Sequence, residues 1–225
     1  MRKTPHYTTT DQAEIRRLIR ENPWATYVSN ASTGLVASHY PTLLEDAGDD
    51  HHGDDGDDDG DDDRGDNTAG ITIVTHFGRP DDELHEVGQH EMLIIVQGAH
   101  GYISPAWYDR DDFIPTWNHV TAHLYGVPEI LSDDENFAVL GKLVDHFEGR
   151  MPHPVSLDQD EQTARRIAKG TVGLRIRVTR VDARLKLSQN KSDEVRATII
   201  EGLHGDGAYA HPALADEMER LESRE

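Results

Sequence analysis

The chain has 225 residues, 43 acidic against 22 basic and a formal net charge of −21, enough length for one large β-rich domain or a domain with helical appendages. It contains no cysteine, which excludes disulfides, thiolate metal centres and cysteine nucleophiles. No apolar run approaches the roughly 18 residues of a membrane-spanning helix, and the N-terminal MRKTPHYTTTDQ lacks the apolar stretch of a signal peptide, so a cytoplasmic protein without membrane attachment is expected.

Thr10 or Asp11 caps a helix through about Asn22, with Ile15, Leu18 and Ile19 on one face. Residues 24–29 (WATYVS) read as a strand, 30–34 as a turn and 35–44 (LVASHYPTLL) as a second strand interrupted by Pro41, together a hairpin. Residues 46–66 are of another kind, with twelve aspartates, two histidines and one basic residue, Arg64. Like-charge repulsion and the lack of apolar groups predict a disordered loop inserted between two strands. Asp55, Asp57, Asp59, Gly60 and Asp66 fall at positions 1, 3, 5, 6 and 12 of an EF-hand loop. Position 12 normally supplies a Glu and no amphipathic helix flanks the tract, so a chance match is the favoured reading. The acidic, lysine-poor composition fits a salt-adapted cytosol or a high-GC genome carrying one acidic insertion.

From Gly70 the β-branched GITIVTH predicts a strand. His85 and His90 stand at i and i+5, which do not share a helix face, so a zinc-protease pair is excluded. The apolar EMLIIV at 91–96 predicts a strand buried on both faces, and residues 118–127 another with Val120, Ala122 and Leu124 on one face and His119, Thr121, His123 and Tyr125 on the other. Ser132 caps a helix over 133–148, with Phe137, Leu140, Val144 and Phe147 as the expected core stripe. A second helix is expected over 158–169, then a long strand or bent strand pair over 170–187. Between Arg165 and Lys191 stand nine basic residues and one acidic, Asp182. This reversal of charge reads either as a charge-paired outer face or as a site for a cofactor phosphate or a nucleic-acid backbone, the latter through Arg175, Arg177 and Arg180. Ser192 caps a helix with Val195, Ile199 and Leu203 inward, and residues 204–225 read as a turn and a charged terminal helix. Residues 1–203 are thus expected to form one domain and 204–225 a tail.

The segment from Gln97 to Gly126 concentrates aromatics, small polar residues and prolines: Tyr102, Trp107, Tyr108 and Trp117 beside His100, Ser104, Thr116, Asn118 and His119. Flat side chains beside hydroxyl and amide groups suit a flat heterocyclic ligand, and equally an aromatic β core near two proline turns. HGYISPAWY at 100–108 followed by IPTWNHV at 114–120 closely resembles the paired signature of the PaiB-type FMN-binding transcriptional regulators. Further matches extend from about Tyr7 to Leu203: Ala37, Ser38, His39 and Pro41; His76, Gly78 and Arg79; and Ser188 to Lys191. Asp81 stands where that family has Asn, and Asp82 where it has Pro.

The resemblance implies a mainly β fold with peripheral α-helices, the FMN-binding split β-barrel, assembled as a homodimer. The lack of βαβ alternation and of Gly-rich phosphate loops agrees. It further implies FMN held by His39, His76, Arg79, Ser104, Trp107, Thr116, Trp117, Asn118 and Lys191, with Arg79 and Lys191 toward the phosphate. The function it implies is transcriptional regulation. The alternative is a flavin-dependent oxidoreductase of the pyridoxamine-oxidase-like type.

Overall fold

The computed structural model describes residues 4–45, 70–108 and 114–223, in which nine strands and six helices form. The strands are β1 (Thr8–Thr9), β2 (Trp24–Ala31), β3 (Gly34–Glu45), β4 (Thr72–Gly78), β5 (Met92–Ile103), β6 (Thr116–Gly126), β7 (Pro128–Ile130), β8 (Thr171–Arg177) and β9 (Arg180–Lys186). The helices are α1 (Gln12–Glu21), α2 (Asp81–Leu84), α3 (Asp133–Glu148), α4 (Glu161–Ala168), α5 (Asp193–His204) and α6 (Pro212–Glu222). No helix among the described residues is long and apolar enough to cross a membrane. The acidic tract at 46–66, with its EF-hand-like spacing, lies outside the described residues.

The chain divides into two compact units: 1–21, 97–122 and 182–225 make the first, and 22–96 with 123–181 the second. The second unit is an antiparallel sheet in the order β5, β2, β3, β4, β8, β7. Its fully buried side chains include Tyr27, Ile73, Phe77, Ile94, Leu174 and Ile176. Tyr27 meets Phe77 edge-on at 5.1 Å and shares a hydrogen bond with Thr42, and burial pushes its phenol up to about 12. Strand β3 runs unbroken through Pro41, where an interruption was expected. Trp24↔Pro41 is the last pair with β2 and Thr42↔Thr75 the first with β4, so proline sits where the strand changes partner. Its carbonyl is used, accepting from Thr75 Oγ1 at 2.7 Å.

Helix α3 begins with the cap expected at Ser132, which Glu135 completes as a capping box. Its inward face, however, is Asn136, Val139 and Leu143, while Phe147 is exposed. Phe137 lies under the Arg165 guanidinium at 4.2 Å instead of entering the core. The face is turned by Asn136, whose amide donates to Thr171 Oγ1 at 3.1 Å and whose Cα would lie 2.8 Å from a Cβ at Gly173.

In the first unit the order is β1, β9, β6, β5. Strand β5 continues to Ile103, beyond the short run expected at 91–96, and β6 starts at Thr116. The unit's core joins Ile15, Leu18 and Ile19 of α1, Ile103 and Val120 of the strands, Ile199 and Leu203 of α5, and Leu214, Ala215 and Met218 of α6. Gly101 permits close approach here, since a Cβ would lie 3.0 Å from the Leu214 side chain. Polar closure comes from Glu14, 4% exposed, which accepts from Arg17 and Arg220, while Glu217 accepts from the same two arginines. Burial raises the Glu14 pKa, but hydrogen bonds and charge from Arg17 and Arg220 outweigh it and hold the carboxyl below its ordinary value.

Candidate functional site

In the second unit the predicted site residues gather along β3, β4 and the start of α2. One carboxylate oxygen of Asp81 accepts from Ser38 Oγ and from Tyr40 OH, both at 2.8 Å, and Tyr40 OH accepts from the Gly78 amide at 3.0 Å. A carboxylate therefore functions at position 81 because two hydroxyl donors converge on it. The buried His85 ring extends the chain, with Nε2 3.0 Å from Ser38 Oγ and Nδ1 2.8 Å from Ser29 Oγ. Because the Ser38 proton points at Asp81, Nε2 donates to Ser38 Oγ, and in the neutral ring Nδ1 accepts from the Ser29 hydroxyl. Burial pushes His85 down against the pull of Asp81, consistent with that tautomer.

Tyr40 stacks on Phe77 at 4.4 Å, and the His76 ring stands edge-on to Tyr40 at 5.8 Å. Burial lowers the His76 pKa, and its Nδ1 has no hydrogen-bond partner among the described residues. Arg79, about half exposed, donates to Asp82 at 2.8 Å, so a phosphate there competes with a carboxylate already in place. His39 is exposed, opposite Thr26 on the hairpin face that also shows Trp24 (64% exposed) and Leu35 (80% exposed).

The other predicted residues belong to the first unit and divide by role. Ser104 Oγ accepts from the Ala106 amide and caps the short 3-10 turn Pro105–Trp107. The Trp107 indole lies against α5 where residue 202 is glycine; a Cβ there would come within 2.5 Å of the ring. Thr198 Oγ1 donates to the Trp107 carbonyl at 2.6 Å. Asn118 is fully buried, its amide donating to Ser188 Oγ at 2.9 Å and its carbonyl accepting from the same hydroxyl at 3.1 Å. This pairing holds Ser188 at φ +66° in the turn that leads to Lys191.

Trp117 is 57% exposed and meets Tyr102 at 6.1 Å, and Tyr102 meets Tyr209 at 4.7 Å. These rings form an open aromatic ladder. Beside it, Lys186 donates to Thr116 Oγ1 and to the Trp117 carbonyl. Lys186 and Arg184 each stand 5.9 Å from the Tyr7 ring, and Lys191 Nζ lies 4.7 Å over Tyr108. Burial pushes Lys186 down, aided by the charges of Arg184 and Lys191. His119 is lowered by burial and then by Arg184, Lys186 and His100. The charged groups acting on both are thus all basic. Lys186 escaped sequence reading because a lysine in an alternating basic strand looks like a solvated face; its signal was the local excess of basic residues.

The Arg175, Arg177 and Arg180 stripe meets carboxylates. Arg175 forks onto Glu45 at 2.7 and 3.0 Å, with Glu129 and Glu135 nearby, and the Glu45 hydrogen bond is the main cause of its raised pKa. Arg177 meets Glu129 at 3.1 Å, and Arg180 lies 3.6 Å from Glu91 and over Tyr125 at 3.3 Å.

A family model described as "Putative FMN-binding domain" matches residues 1–180. The chain is 29% identical over 217 residues to "Protease synthase and sporulation protein PAI 2" of Bacillus subtilis, covering 95% of this chain and 94% of that protein. Among solved structures, the FAD and heme binding protein from Mycobacterium smegmatis is similar with a TM-score of 0.54 at 16% identity, covering 90% of this chain and 81% of that one. The flavocytochrome Anf3 from Azotobacter vinelandii is similar with a TM-score of 0.54 at 12% identity, covering 84% and 74%. At such identities these two structures speak to the fold alone, which is mainly β with peripheral helices, as expected of a flavin-binding split barrel.

Proposed function

Because the chain belongs to the FMN-binding domain family, matched over residues 1–180, we propose that it is an FMN-binding transcriptional regulator that acts as a homodimer. The observation that carries this reading is the open ladder of Trp117, Tyr102 and Tyr209 beside Lys186, Arg184 and Lys191: flat faces for a ring system next to cations for a phosphate. The residues fit the group: a half-buried ammonium with cationic neighbours, held by a hydroxyl and a carbonyl, favours an anion over a neutral ligand. The likeness over almost the whole length to "Protease synthase and sporulation protein PAI 2" supports regulation. FMN, when bound, supplies a redox-active ring. This chain's residues bind and orient it. The exposed Trp24 and Leu35 on the β2–β3 face offer apolar surface for a second copy.

Purified protein is expected to be yellow and dimeric by sedimentation. Trp117→Ala is expected to weaken FMN about tenfold, the scale of one lost aromatic contact. Colourless protein that also ignores added FMN defeats the reading. Regulation requires DNA contact, for which we propose the Arg175, Arg177 and Arg180 stripe. There a phosphate backbone competes with carboxylates, and Arg177, 67% exposed, is the best placed to exchange partners. In mobility shifts with the protein's own promoter region, Arg177→Ala is expected to weaken binding evenly across sequences and to lower the salt slope by about 1. A folded dimer that shifts no duplex at any salt removes direct DNA regulation. Rapid flavin reduction by NADH or NADPH with turnover would favour the oxidoreductase reading instead.

A further inference from the structure

Lys186 is held on two sides by the start of β6, and its arrangement goes further than an unspecified basic face. An ammonium carries three donors. Two are committed here, to Thr116 Oγ1 and to the Trp117 carbonyl, which fixes the direction of the side chain and leaves one for a ligand. Thr8 of β1 pairs with Arg184 of β9, so the N-terminal segment bearing Tyr7 lies beside the Arg184 and Lys186 side chains. Arg184 Nε is buried with no hydrogen-bond partner among the described residues. Gathering Arg184, Lys186 and Lys191 while burying Lys186 is unfavourable by itself, as the lowered Lys186 pKa records. A bound dianion offsets that cost.

We propose that Lys186, with Arg184 beside it, binds the FMN phosphate, and that Thr116 and the Trp117 carbonyl act as positioning groups that aim the Lys186 ammonium. This rests on the FMN reading above and assigns the phosphate end to the β6–β9 face. Arg79, the residue first expected in that role, is engaged by Asp82 at 2.8 Å. Thr116 then serves the cofactor indirectly, and the backbone of Trp117 joins the phosphate end to the aromatic ladder.

The test compares FMN with riboflavin, which lacks the phosphate, by flavin fluorescence quenching. Wild-type protein is expected to prefer FMN. Lys186→Gln is expected to reduce the FMN-to-riboflavin preference by about tenfold to a hundredfold, the scale of one charge-assisted hydrogen bond, with riboflavin affinity nearly unchanged. Lys186→Arg should restore most of the preference, Thr116→Val should lower it by a smaller factor, and Arg79→Ala should leave it intact. An unchanged preference in a folded Lys186→Gln variant overturns the assignment, as does its collapse in Arg79→Ala. If wild-type protein binds neither flavin, the FMN reading fails by itself. Inorganic phosphate then decides the anion site: a rise in thermal midpoint present in wild type and absent in Lys186→Gln supports it, and equal responses overturn it.

Discussion

Glu14→Ala is expected to destabilise the protein by about 3 kcal/mol, at the lower end of the range for breaking a buried ion pair. Glu14 is 4% exposed and takes hydrogen bonds from Arg17 Nε at 3.1 Å and from both terminal nitrogens of Arg220 at 2.7 Å. Removing it leaves two guanidiniums sharing Glu217, with Glu21 still on Arg17, and no carboxylate between α1 and α6 at the deepest point. Both arginines keep about a quarter of their side-chain surface in water, which limits the penalty. For a chain of this size the loss corresponds to a fall in thermal midpoint of roughly 10 °C, measurable by circular dichroism. Its pH dependence has a definite sign. The folded Glu14 pKa is lowered, so its stabilisation is fully present above the unfolded carboxylate value of about 4.3 and is lost as pH falls through the folded value. The gap between wild type and variant should therefore close in acid. A constant gap down to complete protonation would mean that packing, not charge, sets the effect.

Gly126→Ala is expected to cost about 3 kcal/mol through overpacking alone. A Cβ at this position would lie 2.5 Å from the Arg177 carbonyl oxygen and 2.6 Å from Ile176 Cγ2. The first obstacle is backbone, so no rotamer change relieves it. Strand β6 ends here while Tyr125 O accepts from Thr179 N at 2.8 Å, so the clash falls on the end of β8, just before the connection to β9. The measurement is the urea midpoint of a variant whose unfolding slope is unchanged. A shift below about 0.5 kcal/mol, the scale of a neutral surface change, would contradict the close approach.

How much of this was legible in sequence depends on what each element needed. Helices α1, α3 and α5 announce themselves by their caps and apolar spacing, and their boundaries lie close to the expected ones. The orientation of α3 was not legible, because its inward face includes Asn136, a polar residue invisible to an apolar pattern whose amide nitrogen donates to Thr171 and Ala168 far along the chain. Pro41 was misread as an interruption because its tolerance depends on a change of strand partner that occurs in space. Among the site residues, the family signature marked Trp107, Asn118 and Ser104, and the structure shows Trp107 against α5, Asn118 locking a turn and Ser104 capping one. Sequence likeness alone does not separate residues that build a wall from those that face a ligand. Lys186 acquires meaning through Thr116 and Trp117, about 70 residues earlier.

The basic face of β9 lies within a chain of net charge −21, and the two act over different ranges. An anionic ligand at a distance meets a repelling field, and meets Arg184 and Lys186 within the last few ångströms. Salt up to about 0.1 M, where the screening length is about 10 Å, weakens the first before the second. Association of a phosphate-bearing ligand should thus quicken with added salt where most anion sites slow. On that expectation the surface would act as a filter that opens when the surrounding solution is saline.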